Sequence, residues 1–213
     1  MIRAASLASG LVLLALIWLG PLPGLAPQYF SAHMTMHMGV VAVAAPLLAL
    51  GVARTRIDPA GRFPAAFSPI PASLLELVIV WVWHAPALHH LARGSAAGLV
   101  AEQSLFLFAG LLVWISAFGG GRERGGARAG AGVIALLLTS MHMTLLGALL
   151  ALSPRALYVA HGAGVHGAEA LDHQHLGGAI MLLAGGASYL AGGLWLSSTL
   201  LTGRTAWPER TRA

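Results

Sequence analysis

Two histidines four residues apart, His33 and His37, are interleaved with Met34, Met36 and Met38 in the run HMTMHMG at the mouth of an apolar stretch. Neutral imidazole and thioether form a soft donor set suited to Cu(I). On a helix, residues four apart share a face, so His33 and His37 stack one turn apart and Met34 and Met38 do so on an adjoining face. Such a run presents two or three ligands to one ion and needs another helix to close the site. Candidates elsewhere are His84, two residues before Pro86, and the triplet Met141, His142 and Met143. Successive helical residues diverge by about 100°, so the triplet cannot converge on one ion. His142 with one methionine, Met143, is the most it offers. The plain alternatives are packing methionines and a histidine that hydrogen-bonds between helices.

Other chemistry-bearing residues are few. Glu76 and Glu102 fall inside apolar runs, where a carboxylate is expensive and is paired or functional. Glu76 reads as a residue reaching toward water or an arginine from a helix end. Glu102 matches the depth of His37 and His84, as a ligand, a partner that orients imidazole, or a packing hydrogen bond. His89 and His90 read as exposed loop residues. His161, His166, His173 and His175 fall in a further loop or at the start of the last apolar run, with Asp172 beside His173.

The elements that must position these groups follow from composition. With 57% hydrophobic and 9% charged residues, the chain reads as an all-α, polytopic integral membrane bundle, not a soluble domain. The absence of cysteine excludes disulfides, thiolate metal sites and a cysteine nucleophile, leaving soft-metal chemistry to histidine and methionine. A helix needs about 20 apolar residues to span the hydrocarbon core. Six spans are predicted, near 4–20, 32–51, 71–88, 96–118, 131–152 and 176–201, within one transmembrane domain over 1–213. The small residues Gly147, Gly177, Gly178, Gly185 and Gly186 permit close helix approach.

Six crossings put both termini on one side. Arg3, Arg54, Arg56, Arg62, Arg122, Arg124, Arg128, Arg204, Arg210 and Arg212 lie at one face, and only Arg93 and Arg155 at the other. That bias predicts cytoplasmic termini. The arginines form no nucleic-acid stripe. Trp18, Tyr29, Phe30, Trp114, Tyr158 and Trp207 read as interfacial anchors. The first span could be a cleaved signal, but Pro27 after the potential cut and the length of the run favour a retained helix. No histidine falls in a cytoplasmic loop, so the chemistry is expected to be served from outside.

Several stretches resemble the cytochrome c oxidase assembly factor CtaG family, also named for its caa3-type oxidase: HMTMHMGVVAVAAPLLALG, WHAPALHHLA, SLFLFAGLLVW, MTLLGALLALSPRALY and the region of Gly177, Gly178 and Met181. The resemblance runs in order from about residue 30 to 200 and matches the family's polar motifs at His33, His37, Met38, His84, Pro86, Glu102, Met143 and Pro154. Gln103 departs from it, standing where the family has histidine, as does His173 at an acidic position. The resemblance implies a bacterial inner-membrane protein that matures a haem-copper oxidase, with a part in delivering copper.

The expected function is therefore copper handling rather than substrate turnover. Cu(I) enters from the periplasmic side, from a periplasmic donor, and is held by His33, His37 and Met38, with His84 or His142 completing the coordination, before passing to the oxidase membrane subunit. With 1.5 Å of rise per residue, His37 lies about 8 Å inside the boundary and His142 about 15 Å, suggesting successive stations. The alternatives are a haem-b electron-transfer protein with His37 and His142, or His84 and His142, as axial ligands, an integral-membrane di-metal enzyme, and a metal-free assembly scaffold.

Overall fold

The structure, a computed structural model, describes residues 2–120, 125–158 and 166–202, and every regular element in them is helical. Among the described residues, five stretches are long and apolar enough to cross a membrane: Ile2–Leu25, Phe30–Val52, Ala96–Phe118, Gly126–Ala151 and Gly167–Thr202. The predicted third span is instead two helices, α6 (Pro69–Trp83) and α7 (Pro86–Gly94), bent by 73°. Proline explains the break. Pro86 lacks an N–H to continue the ladder, and its ring forces Ala85 into an extended conformation, with φ −64° and ψ 132°.

The first stretch is α1 (Ile2–Leu19) with a short α2 (Leu22–Leu25), and α5 (Pro59–Arg62) is a single turn in the loop before α6. The second comprises α3 (Phe30–Met38), a π-helical turn π1 (Gly39–Ala44) and α4 (Ala45–Val52). The remaining long helices are α8 (Ala96–Phe118), α9 (Gly125–Ala151) and a last stretch of α10 (Gly167–Ile180), π2 (Met181–Gly185) and α11 (Gly186–Thr202). The last stretch begins nine residues earlier than the predicted 176, so His173 and His175 are helical rather than in a loop.

The second stretch packs against α1, α8 and α10, while α9 packs against α6, α8 and the last stretch. Close approach is permitted where Gly147 and Gly178 face each other. A Cβ on Gly147 would meet Leu182 N at 2.6 Å and Gly178 O at 2.8 Å, so a larger residue would push α9 from the last stretch.

The π turns redirect carbonyls, because an i→i+5 pattern leaves backbone oxygens free for other donors. Val41 O accepts from Trp114 Nε1 at 2.9 Å, and Ala42 O accepts from Ser188 Oγ at 2.6 Å. Trp114 is buried here rather than anchored at an interface. Trp18 donates to Gln103 Oε1 at 3.3 Å, and Phe30 and Tyr158 are buried and stacked at 4.3 Å. Trp207 lies outside the described residues.

The arginine-bearing end is tied by polar contacts. Asp58 accepts from the backbone N–H groups of Arg54, Ala60 and Gly120. Arg128 donates to the carbonyls of Phe67, Ser116 and Gly119.

Candidate metal centre

His33 and His37 lie on one face of α3, with rings 6.4 Å apart and nearly parallel. His84 meets them from the end of α6, its ring 5.3 Å from His37 and 5.6 Å from His33. Its position follows from the helix break: α6 stops there, and Tyr158 donates to the freed His84 carbonyl at 2.6 Å. Burial pushes the Tyr158 phenol up, which keeps it a neutral donor.

His84 Nδ1 donates to Val80 O at 2.6 Å, which leaves the Nε2 lone pair available. His142 on α9 is buried and close enough to His37 to interact electrostatically with it. His37 Nδ1 and Nε2, His84 Nε2, and His142 Nδ1 and Nε2 are all buried without a hydrogen-bond partner. Orphaned polar atoms in a bundle within lipid are costly and rare. Three of them belong to His37 and His84, whose rings lie 5.3 Å apart and which could hold an electrophile such as a metal ion.

Geometry agrees with that chemistry. A metal about 2.0–2.1 Å from two imidazole nitrogens leaves the ring centres roughly 5–6 Å apart, the range in which His37 and His84 lie. His37 and His84 could share an ion at that spacing, and low-coordinate imidazole ligation of this kind would suit Cu(I). Phe106, one turn along α8 from Glu102, packs 3.9 Å from the His37 ring and fills the space beside it.

A second group stands nearer the end of the bundle. His33, His89 and Glu102 have potential ligand atoms all within 4.8 Å of one another. A cation is already among them. Arg93 on α7 forms an ion pair with Glu102 Oε2 and donates from Nη1 to His33 Nδ1 at 3.0 Å. An arginine only donates, so the His33 Nδ1 lone pair is engaged and the ring hydrogen sits on Nε2, itself without a partner. As they stand, these three residues form a guanidinium site.

Three of the methionines pack toward the last stretch. Met34 packs against Gly177, while Met38 and Met143 meet at Gly185, where a Cβ would stand 3.4 Å from Met38 Sδ and 3.0 Å from Met143 Cβ. They form an apolar layer between α3, α9 and the last stretch. Met141 is 67% exposed on the bundle surface, whereas His142 is 5% exposed, so the triplet diverges as helical geometry requires. His173 also stands apart, bonded through Nδ1 to Ser31 Oγ at 2.7 Å and packed on Tyr29. His175 bonds Ser153 O at 2.9 Å. His161 lies outside the described residues.

Sequence reasoning missed two participants. His89, read as an exposed loop residue, is 4% exposed on α7, with its ring 4.9 Å from His33. Arg93 was counted only toward topology. Being one of two arginines on the otherwise arginine-poor face was the available signal. Glu76 also differs from expectation. It does not reach water but is fully buried, accepting from Tyr189 OH at 2.6 Å and Thr139 Oγ1 at 3.1 Å.

A sequence model of the cytochrome c oxidase caa3 assembly factor family matches residues 1–202, nearly the whole chain. No curated protein and no solved structure matches it.

Proposed function

The chain belongs to the cytochrome c oxidase caa3 assembly factor family, and on that premise we propose that it binds Cu(I) within the membrane and passes it to the oxidase. The observation that carries the reading is the set of unpartnered nitrogens on His37, His84 and His142, two of whose rings stand 5.3 Å apart. Copper is cargo here. A site of two or three neutral imidazoles holds a monovalent soft ion without a thiolate, allowing release to a better-coordinated acceptor.

The arginine asymmetry supports a bacterial inner-membrane orientation with the histidine end facing the periplasm. Metal then enters near His89 and His33 and moves inward to His37, His84 and His142. Met34, Met38, Met143 and His173 act as surrounding structure rather than ligands in this reading, because their packing directs them toward the last stretch and Tyr29. A di-metal enzyme lacks carboxylates: Glu102, the acid beside the histidines, is held by Arg93.

The direct test is titration of the purified protein with Cu(I) against a competing chelator, in the native form and as His37→Ala. Wild type is expected to take copper from the chelator and the variant is not. Equal binding by both, or binding by neither, overturns the site. Copper occupancy of the oxidase in cells lacking the protein tests delivery, and normal occupancy overturns it.

A further inference from the structure

Arg93 contacts both Glu102 and His33, and its position carries a consequence for which ions the histidine end accepts. Its guanidinium is mostly buried, on a helix bent by 73° from α6 at Pro86. It neutralises Glu102 and engages the one lone pair His33 can offer. Ligating histidines carry no charge. With Arg93 seated, the chamber of His33, His37, His84, His89, His142 and Glu102 therefore contributes no net charge. Of the other buried carboxylates among the described residues, Glu76 lies eight residues before His84 on α6, about 12 Å along the helix, with its oxygens taken by Tyr189 and Thr139, and Asp58 is bonded at the arginine-bearing end.

In a low-dielectric interior, each uncompensated charge is costly, and the penalty rises steeply with ionic charge. A neutral imidazole site thus tolerates Cu(I) better than Zn(II) or another divalent ion. Without Arg93, the balance changes. His33 Nδ1, a His89 nitrogen and the Glu102 carboxylate would be released together, giving a two-nitrogen, one-oxygen ligand set with one negative charge. That set is common for zinc and leaves a fourth position for water.

We infer that Arg93 is a specificity-determining residue: by holding Glu102 and His33, it keeps the histidine end from capturing divalent metal and reserves it for a monovalent ion. The inference rests on the copper reading for its purpose, but the test has an arm that does not. Zn(II) binding to the purified full-length protein is measured by competition with a chromophoric chelator, for wild type, Arg93→Gln, Arg93→Lys and the double variant Arg93→Gln/Glu102→Gln. Helical circular dichroism and elution in detergent confirm that each is folded.

Wild type is expected to bind zinc weakly and Arg93→Gln at least about tenfold more tightly. The double variant should lose that gain. Arg93→Lys, which keeps the charge, should resemble wild type. Zinc binding by wild type as tight as by Arg93→Gln overturns the inference, as does a gain that survives Glu102→Gln. If Arg93→Gln does not fold, Glu102→Gln and Arg93→Lys decide: zinc binding by Arg93→Lys well above wild type overturns the role of charge, as does a zinc gain in Glu102→Gln. Failure of Cu(I) to bind wild type would instead overturn the proposed function, leaving the zinc result standing by itself.

Discussion

Around Glu76, the acid is bonded by Tyr189 and Thr139, Thr139 by Ser73 at 2.9 Å, and the Tyr189 ring stacks on Trp114, whose indole N–H reaches Val41 O. Two turns along α6 stands His84, and beside it the imidazole of His37 presents nitrogens with no hydrogen-bond partner, as does the buried His142. Both layers bury polar groups, and only one of them satisfies those groups within the protein. In the Glu76 layer, polarity fastens α6, α9, α11 and π1 together. In the histidine layer, polarity is left over, which is what a site awaiting an ion requires. Substitutions in the two layers should therefore move different observables.

The largest effect is expected in the histidine layer. His37→Ala should weaken Cu(I) binding by more than about 100-fold, beyond the loss usual for residues that only orient a ligand. Melting of the metal-free protein in detergent should fall less than in Glu76→Ala, because the cavity left by the ring is offset in part by removal of two orphaned polar atoms. A large drop in melting temperature would mean that His37 is a packing element and would break the contrast.

Glu76→Ala reverses the pattern. It strands the Tyr189 and Thr139 hydroxyls and opens a cavity, so it should cost about 2 kcal/mol of stability while leaving Cu(I) affinity within about threefold. Tyr189→Phe removes one bond from the same layer and should cost about 1 kcal/mol by the same melting measurement. Copper affinity that fell with either variant, in protein that remained folded, would join the two layers into one functional unit.

The sequence made one layer legible and concealed the other. The four-residue spacing of His33 and His37 survives any helical assignment, and hydropathy located most spans because lipid permits so little else. The break after His84 was signalled by Pro86, yet the 73° turn depends on what α7 packs against, and that brought His89 and Arg93 to the site. Soft-donor composition does not specify direction. Met34 and Met38 lie about 100° around α3 from the histidines that precede them, which is enough to turn them toward Gly177 and Gly185. Tyr189 and Thr139 carried no local signal, since their role arises only where distant helices meet Glu76.

The smallest expected effect is also the sharpest test of the contrast. Glu76→Gln preserves volume and one carbonyl acceptor, and its amide N–H group can reach an acceptor such as the Tyr189 oxygen. If the layer serves only to join helices, the variant should lose no more than about 0.5–1 kcal/mol and retain both Cu(I) affinity and oxidase copper loading. A fastening role needs hydrogen bonds, which an amide supplies. A role in compensating or moving charge needs an ionisable group, which an amide is not. Normal folding and copper affinity combined with failed oxidase loading would assign Glu76 to delivery itself, and the distinction between an inert fastening layer and an active histidine layer would fall.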